Sequence, residues 1–383
     1  MRARLGHRLN PIDVLVFAAV FATGFLVPSF GPGFVIADVF ILAIISVWVA
    51  TIPRGEPRGV VPRVLPPLIL IFIGSLFGTM EVGVKSWIVS DLIKDVGSFA
   101  SFLAMVTILR FGDDTTMRAV GWGAGLSTIM VTVFLLLEAG TRAQGFFPNP
   151  NVAAHFLVTN LVVMTMAPLS RRFRYIVIGI GVAGLLAAGS FGSVIMAVGA
   201  FGYLLVTMSS VKRRQMIKKF GAAASVILAL VLLSGSMQAA TQGADLGFNE
   251  RHFERSSEGR LARWTQAFQV AVEHPLGVGP GSNAGLGLLP GDQEAHNEFL
   301  AYLTERSLIG LIGLILLYLA IWRLGPRGGV TRALVIGFAL QSLVRETLHY
   351  RHLWLLLAFA LVLDETADEQ QVGASATVAL RHV

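Results

Sequence analysis

The sequence contains no cysteine, which excludes disulfide bonds, thiol catalysis and thiolate metal sites. It also carries little charge, since only 14% of its 383 residues are charged and 54% are hydrophobic. A soluble domain needs a larger polar share to cover its core. Also missing are a nucleotide-binding glycine loop, an HExxH pair and an Asp-x-Asp on a predicted outer loop. No cofactor and no metal site are therefore predicted.

The apolar residues come in blocks of roughly 18 to 22, the length needed to cross about 30 Å of hydrocarbon. This pattern predicts an all-α, polytopic integral membrane protein with about twelve transmembrane helices. The predicted spans are residues 12–28, 34–52, 64–82, 88–109, 119–139, 151–169, 175–189, 192–210, 221–238, 296–322, 333–348 and 352–364. The first span, with its basic start, is interpreted as an uncleaved helix because no small-residue cleavage site follows it.

Every second link between the predicted spans is basic, and the links between them are nearly free of charge. By the positive-inside rule, both termini lie in the cytoplasm of a multi-pass inner-membrane protein. The formal net charge of +7 does not predict a nucleic-acid partner, because the basic residues stand at the ends of apolar spans. The basic links are residues 1–8, 54–63, 110–118, 171–174, 212–219 and 323–332.

One predicted extracytoplasmic loop, residues 239–295, is far longer than the other links. Within residues 258–273 an apolar stripe predicts an amphipathic helix at the membrane surface, with Ser257 as its N-cap. The stripe consists of Leu261, Trp264, Phe268 and Ala271. The domain organisation is therefore residues 1–238 with spans one to nine, 239–295 as the loop that carries chemistry, 296–364 with spans ten to twelve, and 365–383 as a poorly ordered cytoplasmic tail.

The clearest candidate for chemistry is His296, where this loop re-enters the membrane. A histidine titrates near neutral pH and can act as a general base or acid, although an interfacial histidine can also be purely structural. Arg251, Arg255, Arg260 and Arg263 could hold a diphosphate or could equally contact anionic headgroups.

Three further basic residues follow at helical spacing. Arg345, His349 and His352 stand at i, i+4 and i+7, which predicts one shared face directed to a cavity or, alternatively, snorkelling to the interface. Before span six, Pro150 predicts a helix start with one of the flanking asparagines as its cap. Glu305 and Arg306 lie inside span ten, where a structural ion pair with another helix is the favoured interpretation.

Five segments together resemble the O-antigen ligase and polymerase family. His-Pro-Leu-Gly-Val-Gly-Pro-Gly at 274–281 is similar to a family turn that precedes an Ala-His-Asn helix start, here residues 295–300. Residues 303–311 then resemble the family's Leu-x-Glu-x-Gly pattern. Residues 147–151 look like its Asn-Pro-Asn segment, and 259–264 look like its Arg-to-Trp run.

The resemblance implies a GT-C-like membrane glycosyltransferase that moves a glycan from a polyprenyl-diphosphate donor to a lipid or glycan acceptor, without a metal. By this analogy His296 is the base and Arg260, with Arg142 or Arg345, holds the diphosphate. The remaining expected contacts to diphosphate or glycan are Arg263, His349, Asn151 and Asn297. Membrane lipids complete the expected partners.

Two departures from the family pattern stand out. Many members carry an arginine in the turn between spans seven and eight, but residues 189–193 read Gly-Ser-Phe-Gly-Ser. Arg306 and Ser307 also stand where the family pattern has the last two residues of Glu-x-Gly. Either Arg345 or another arginine of the loop is expected to replace the missing one, or the donor is held differently.

Three functions remain open from the sequence. A ligase and a polymerase of lipid-linked repeats would use the same base and the same arginines, so the motifs cannot separate them. A transporter or flippase would favour inverted repeats and broken helices around a midplane site. The concentration of ionisable residues in one outer loop favours both enzymes over the transporter, and of the two enzymes the ligase is ranked first.

Overall fold

The computed structural model describes residues 10–25, 36–51, 59–138, 146–147, 149–208, 250–289 and 295–380. These residues form thirteen helices, and they contain no strand. The helices are α1 (Pro11–Ala22), α2 (Ile36–Thr51), α3 (Val61–Val82), α4 (Ser86–Phe111), α5 (Asp114–Leu137), α6 (Pro150–Met164), α7 (Arg171–Ala188), α8 (Phe191–Thr207), α9 (Glu250–Glu273), α10 (Ser282–Gly285), α11 (Glu298–Leu324), α12 (Val330–Ser342) and α13 (Arg351–Leu380).

The helices are those of an integral membrane protein. Four of them, α3, α4, α5 and α11, are long and apolar enough to cross a bilayer, and α1, α2, α6, α8 and α12 are shorter apolar helices. The polytopic all-helical class is thus confirmed, whereas the number of twelve spans stays a prediction. The ninth predicted span, residues 221–238, lies outside the described residues.

Two helices form the centre of the fold. Every residue of α6 is buried except Asn151, and α13 is buried from His352 to Asp364. Asn149 caps α6, because its side-chain oxygen accepts a 3.1 Å hydrogen bond from the Val152 N–H, and Pro150 follows at the first helical position. This confirms the predicted helix start, and it leaves Asn151 at the accessible end of an otherwise buried helix.

The predicted start of the helix in the large loop was wrong. Helix α9 begins at Glu250, so Ser257 lies inside the helix and is not its N-cap, since the upstream residues extend the helix by two turns. Helix α13 continues to Leu380, through most of the segment that was predicted as a cytoplasmic tail. The Glu, Gln and Ala residues of that segment have high helix propensity, which the polar composition alone did not indicate.

The amphipathic character of α9 is visible in its burial. Ala267 and Val270 are buried, with Ala267 packed beside residues of α11, whereas Leu261 and Phe268 are 65% and 57% exposed. An apolar surface of this kind beside membrane helices is what the predicted position at the bilayer surface requires. The packing of α9 on α11 brings its arginines to the start of α11.

Helices α3 and α11 pack closely because glycines remove side chains from their contact. A Cβ atom on Gly74 would lie 2.7 Å from the Gly310 nitrogen, and one on Gly78 would clash with the Glu305 carbonyl oxygen. Both contacts are too short for any side chain, so only glycine allows this approach. The contact falls where α11 is interrupted, since Arg306 and Ser307 have non-helical backbone angles.

Helix α12 is shorter than predicted. It ends at Ser342, and residues 343–350, which we call the 343–350 loop, are not helical before α13 begins at Arg351. The N–H groups of Thr347 and Leu348 donate to the Glu298 carboxylate instead of to carbonyls one turn back. A distant carboxylate therefore competes with helix continuation, and hydropathy cannot reveal that.

Candidate active site

His296 lies immediately before α11, two residues ahead of its first helical residue. Its backbone φ is +52°, in the left-handed region that non-glycine residues rarely adopt. Asn297 follows as the N-cap of α11, and its side-chain oxygen accepts a 3.1 Å hydrogen bond from the Leu300 N–H. Strained backbone of this kind persists where the surrounding structure holds it, and it occurs often at functional sites.

His296 faces a small cavity that residues from distant parts of the chain build together. The cavity has a volume of about 40 Å³, enough for a few water molecules. Four of the residues proposed from the sequence, His296, Arg260, Arg345 and Asn151, line it side by side. The other lining residues are Ser190, Gly192, Gln341 and Val344.

One helix and one loop supply the positive charge around this cavity. Arg260 and Arg263 come from α9, and the Arg263 Nε donates a 2.8 Å hydrogen bond to the Gly259 carbonyl oxygen. Arg345 comes from the 343–350 loop, where its Nε donates to the Tyr350 hydroxyl at 2.8 Å. The three guanidiniums thus approach His296 from two sides.

This environment changes the protonation of His296. Burial lowers its pKa first, and the positive charges of Arg263, Arg345 and Arg260 lower it further, to about 4. The imidazole is therefore neutral at pH 7 and has a nitrogen lone pair that can accept a proton. A neutral histidine beside three cations is poised to receive an anion and a hydroxyl group together.

The turn that lacks the family's arginine contributes to this same cavity. Ser190 caps α8 with a 3.4 Å hydrogen bond from the Ser193 N–H, and Ser190 and Gly192 line the cavity. A Cβ on Gly192 would lie 3.2 Å from Val344 and 3.9 Å from the Gln341 side-chain nitrogen. Arg345 and this turn therefore line the same cavity, from opposite sides.

Gln341 is a member of the site that the sequence reasoning missed. It is fully buried at the end of α12, lines the cavity, and neither atom of its side-chain amide has a protein partner. An unpaired buried amide costs about 1 to 3 kcal/mol, which a polar ligand would offset. The signal in the sequence was a polar residue inside an apolar span, which usually marks function.

The predicted common face of Arg345, His349 and His352 was wrong, because the backbone between them is not helical. His349 points away from the cavity, with its Nδ1 3.7 Å from the Asp95 carboxylate. Burial alone would lower the pKa of His349, but the carboxylates of Asp91, Asp95 and Glu298 raise it overall.

His352 has a separate, buried environment. Its Nε2 lies 2.7 Å from the Nδ1 of His155 on α6, and its ring stacks on Tyr350 at 5.6 Å between ring centres. Tyr350 in turn holds Arg345, so His352 supports the cavity through packing. Of the three basic residues, only Arg345 lines the cavity beside His296.

Arg306 forms the structural ion pair with another helix that the sequence predicted, whereas backbone N–H groups hold Glu305. Arg306 is 1% exposed, lies 2.6 Å from the Asp95 carboxylate of α4, and donates a 2.8 Å hydrogen bond to the Ser75 hydroxyl of α3. The Glu305 carboxylate accepts the N–H groups of Gly281 and Asn283 at 3.0 and 3.1 Å. Both residues tie α11 to its neighbours and not to His296.

Some predicted residues fall outside what the structure describes. Arg142 lies outside the described residues, and the side chains of Arg251 and Arg255 are likewise not described. Asn297 is described, and its side chain caps α11. Its expected contact with substrate therefore competes with a structural role.

Taken together, the fold and the cavity define an integral membrane protein in which a neutral histidine faces several guanidiniums. Residues 176–318, from within α7 into α11, match the sequence model of the family described as O-Antigen ligase. The matched segment includes Arg260, His296 and the broken part of α11, and it confirms the resemblance to the O-antigen ligase and polymerase family. No curated protein matches the chain. The match supports a membrane glycosyltransferase of the ligase and polymerase type.

Proposed function

We propose that this protein is an O-antigen ligase-like glycosyltransferase of the inner membrane. It transfers a glycan from a polyprenyl-diphosphate donor to an acceptor hydroxyl at the extracytoplasmic face. The observation that carries the proposal is the cavity in which His296 stands beside Arg260, Arg345 and Asn151, residues from four separate segments of the chain. The family match over residues 176–318 supports the same class of reaction.

In the proposed reaction His296 takes the proton of the acceptor hydroxyl while that oxygen attacks the anomeric carbon of the donor sugar. A new carbon–oxygen bond forms, and the bond between the anomeric carbon and the diphosphate breaks. The electron pair of the broken bond leaves with the diphosphate, and the proton remains on the imidazole. His296 is therefore the general base of a direct displacement.

The arginines stabilise the charge that develops on the departing diphosphate. Guanidiniums offer several donors in a fixed plane, which suits phosphate oxygens, and they do not lose their charge. Preorganised cations in a site with little water oppose this charge without a metal ion. Arg345 replaces the arginine that many family members carry in the turn between α7 and α8.

Donor binding would also strengthen the base. Burial and, after it, the neighbouring guanidiniums disfavour a proton on His296 and together lower its pKa to about 4. A bound diphosphate offsets their charge, so the pKa rises and the imidazole becomes a better proton acceptor. The base is thus activated only when the leaving group is in place.

The transporter alternative predicts a broken helix whose freed carbonyls bind the cargo or a coupling ion. Helix α11 is indeed broken, at Arg306 and Ser307. However, the carbonyl oxygens of Thr304 and Glu305 accept 2.9 Å hydrogen bonds from the N–H groups of Val278 and Gly279. The break is therefore filled by the protein's own turn, which favours the enzyme.

The proposal is tested by reconstituting the purified protein in liposomes with candidate polyprenyl-diphosphate glycans and a separate lipid acceptor. A ligase yields glycan on the acceptor, and a polymerase yields longer glycan on the carrier. Addition of a chelator should leave either product unchanged. Absence of both products across the donor set, with the glycan instead moved across the bilayer, would contradict the proposal.

A further inference from the structure

Glu298 is a buried carboxylate at the start of α11 that the proposed reaction does not use. It is 1% exposed and lies two residues after His296, directly following the N-cap of the helix. Its position in the first helical turn is favourable, since the helix dipole stabilises negative charge there. Its hydrogen-bond partners, however, belong to another part of the chain.

Those partners are in the 343–350 loop. One oxygen of the Glu298 carboxylate accepts the Thr347 N–H, the Leu348 N–H at 3.2 Å and the Thr347 hydroxyl at 3.2 Å. Because these two N–H groups are buried and outside a helix, they need a partner, and Glu298 provides it.

The loop that Glu298 holds carries Arg345 two residues before Thr347. Arg345 lines the cavity with His296, and its Nε donates a hydrogen bond within the same loop, to the Tyr350 hydroxyl. The position of its guanidinium therefore depends on where the loop lies relative to α11. Glu298 connects the two, since it belongs to the helix that His296 precedes.

We propose that Glu298 is a positioning residue, which fixes the 343–350 loop to the start of α11 and thereby keeps the Arg345 guanidinium beside His296. The inference rests on the proposed function, in which Arg345 holds the donor diphosphate. It adds a residue that touches neither substrate nor base but determines the distance between the base and the cation.

The test uses the full-length protein with the variants Glu298→Gln, Glu298→Ala, Arg345→Gln and the double variant Glu298→Gln/Arg345→Gln. Glu298→Gln keeps an acceptor oxygen and should lower kcat/KM less than Glu298→Ala, for which about a hundredfold loss is expected. The double variant should be no worse than Arg345→Gln alone, because both changes remove the same cation from the site. Losses that multiply in the double variant would overturn the proposal.

A second readout needs no substrate and therefore does not depend on the proposed function. The pH dependence of His296 modification by diethyl pyrocarbonate, followed by mass spectrometry, gives the pKa of this imidazole, with Arg260, Arg263 and Arg345 as the charges that face it. If Arg345 retreats in Glu298→Ala, the pKa of His296 rises towards 6.5, as it should in Arg345→Gln, and it rises less in Glu298→Gln.

The direction of the change in the His296 pKa separates a positioning role from a direct charge effect. Loss of a nearby carboxylate alone would lower this pKa, whereas retreat of Arg345 raises it. A lowered or unchanged pKa of His296 in Glu298→Ala would overturn the inference, even if the variant folds and remains active. Glu273→Gln, an exposed glutamate at the end of α9, is the matched control and should leave both readouts unchanged. If His296→Ala retained full activity, the proposed function would fail, while the titration would still test Glu298.

Discussion

The backbone N–H of Gly279 donates a 2.9 Å hydrogen bond to the Glu305 carbonyl oxygen at the point where α11 is broken. Gly277, Gly279 and Gly281 all have positive φ, so this turn presents its N–H groups to the broken helix in a backbone shape that suits glycine. The two motifs that are separated in the sequence, the glycine-rich turn and the Glu-x-Gly-like segment, are therefore one structural unit.

The break explains why the family pattern has glycine where this chain has Ser307. Ser307 has φ +62° and ψ 179°, a region that is essentially restricted to glycine and costs about 1 to 3 kcal/mol for other residues. Its hydroxyl accepts a 3.2 Å hydrogen bond from the Ile309 N–H, which caps the second part of α11. Ser307→Gly should therefore stabilise the protein by about 1 kcal/mol and raise its Tm, since a glycine cap costs only a few tenths. Ser307→Ala keeps the strain and loses the cap, so it should lower Tm. A lower Tm for Ser307→Gly would contradict this account.

The predicted topology can be tested with single cysteines, because the natural chain has none. Leu286→Cys, 40% exposed between α10 and α11, should react with a membrane-impermeant maleimide in intact spheroplasts. Arg327→Cys, exposed between α11 and α12, should react only after permeabilisation. The reverse pattern would place the cavity in the cytoplasm, where the proposed donor and acceptor could not reach it.

The shape of the cations matters as much as their charge. Arg260→Lys keeps the positive charge but replaces a planar, two-pronged donor with a single ammonium, so donor binding and turnover should both fall, by about tenfold or more. Initial rates with varied polyprenyl-diphosphate glycan measure the change. Arg171→Lys, in the first turn of α7 and outside the cavity, is the matched control and should behave as wild type. Wild-type kinetics for Arg260→Lys would remove Arg260 from the diphosphate site.

The pH dependence should differ between the free enzyme and the donor complex. His296 must be unprotonated to act as a base, so activity is lost as pH falls through its pKa. Burial and the neighbouring guanidiniums lower this pKa to about 4. Bound diphosphate raises that pKa, and therefore the acid limb of kcat should lie at higher pH than the acid limb of kcat/KM. Arg263→Gln should shift the kcat/KM limb upward, because it removes a neighbouring positive charge. If the acid limbs of kcat and kcat/KM coincided in the wild type, the bound donor would not offset the positive charge of the guanidiniums.

Hydropathy and the resemblance predicted much of this molecule, and the reasons are physical. Apolar blocks must be helical in a bilayer, so the described helices fall close to the predicted spans. His296, Arg260, Arg345 and Asn151 were proposed as site residues, and the structure brings them around one cavity.

What the sequence could not predict depends on contacts between distant segments. Capture of the Thr347 N–H by Glu298 ends α12 early and separates Arg345 from His349 and His352. Likewise, the break at Ser307 is stabilised by a turn some 30 residues earlier, whose N–H groups bind the freed carbonyl oxygens. Hydrophobic periodicity does not predict which distant segment makes these hydrogen bonds. Both features arise from single carboxylate or carbonyl groups that find donors only in the folded chain.

The central claim is that His296 is the base of glycan transfer, and His296→Ala tests it most directly. Purified wild type and variant are reconstituted with the same polyprenyl-diphosphate glycan and acceptor, and product is measured over time, with His382→Ala as the matched histidine control. The account predicts that His296→Ala inserts and folds normally but forms product at least a hundredfold more slowly, in line with the loss of a general base of about 10² to 10⁴. Product formation by His296→Ala at the wild-type rate would contradict it.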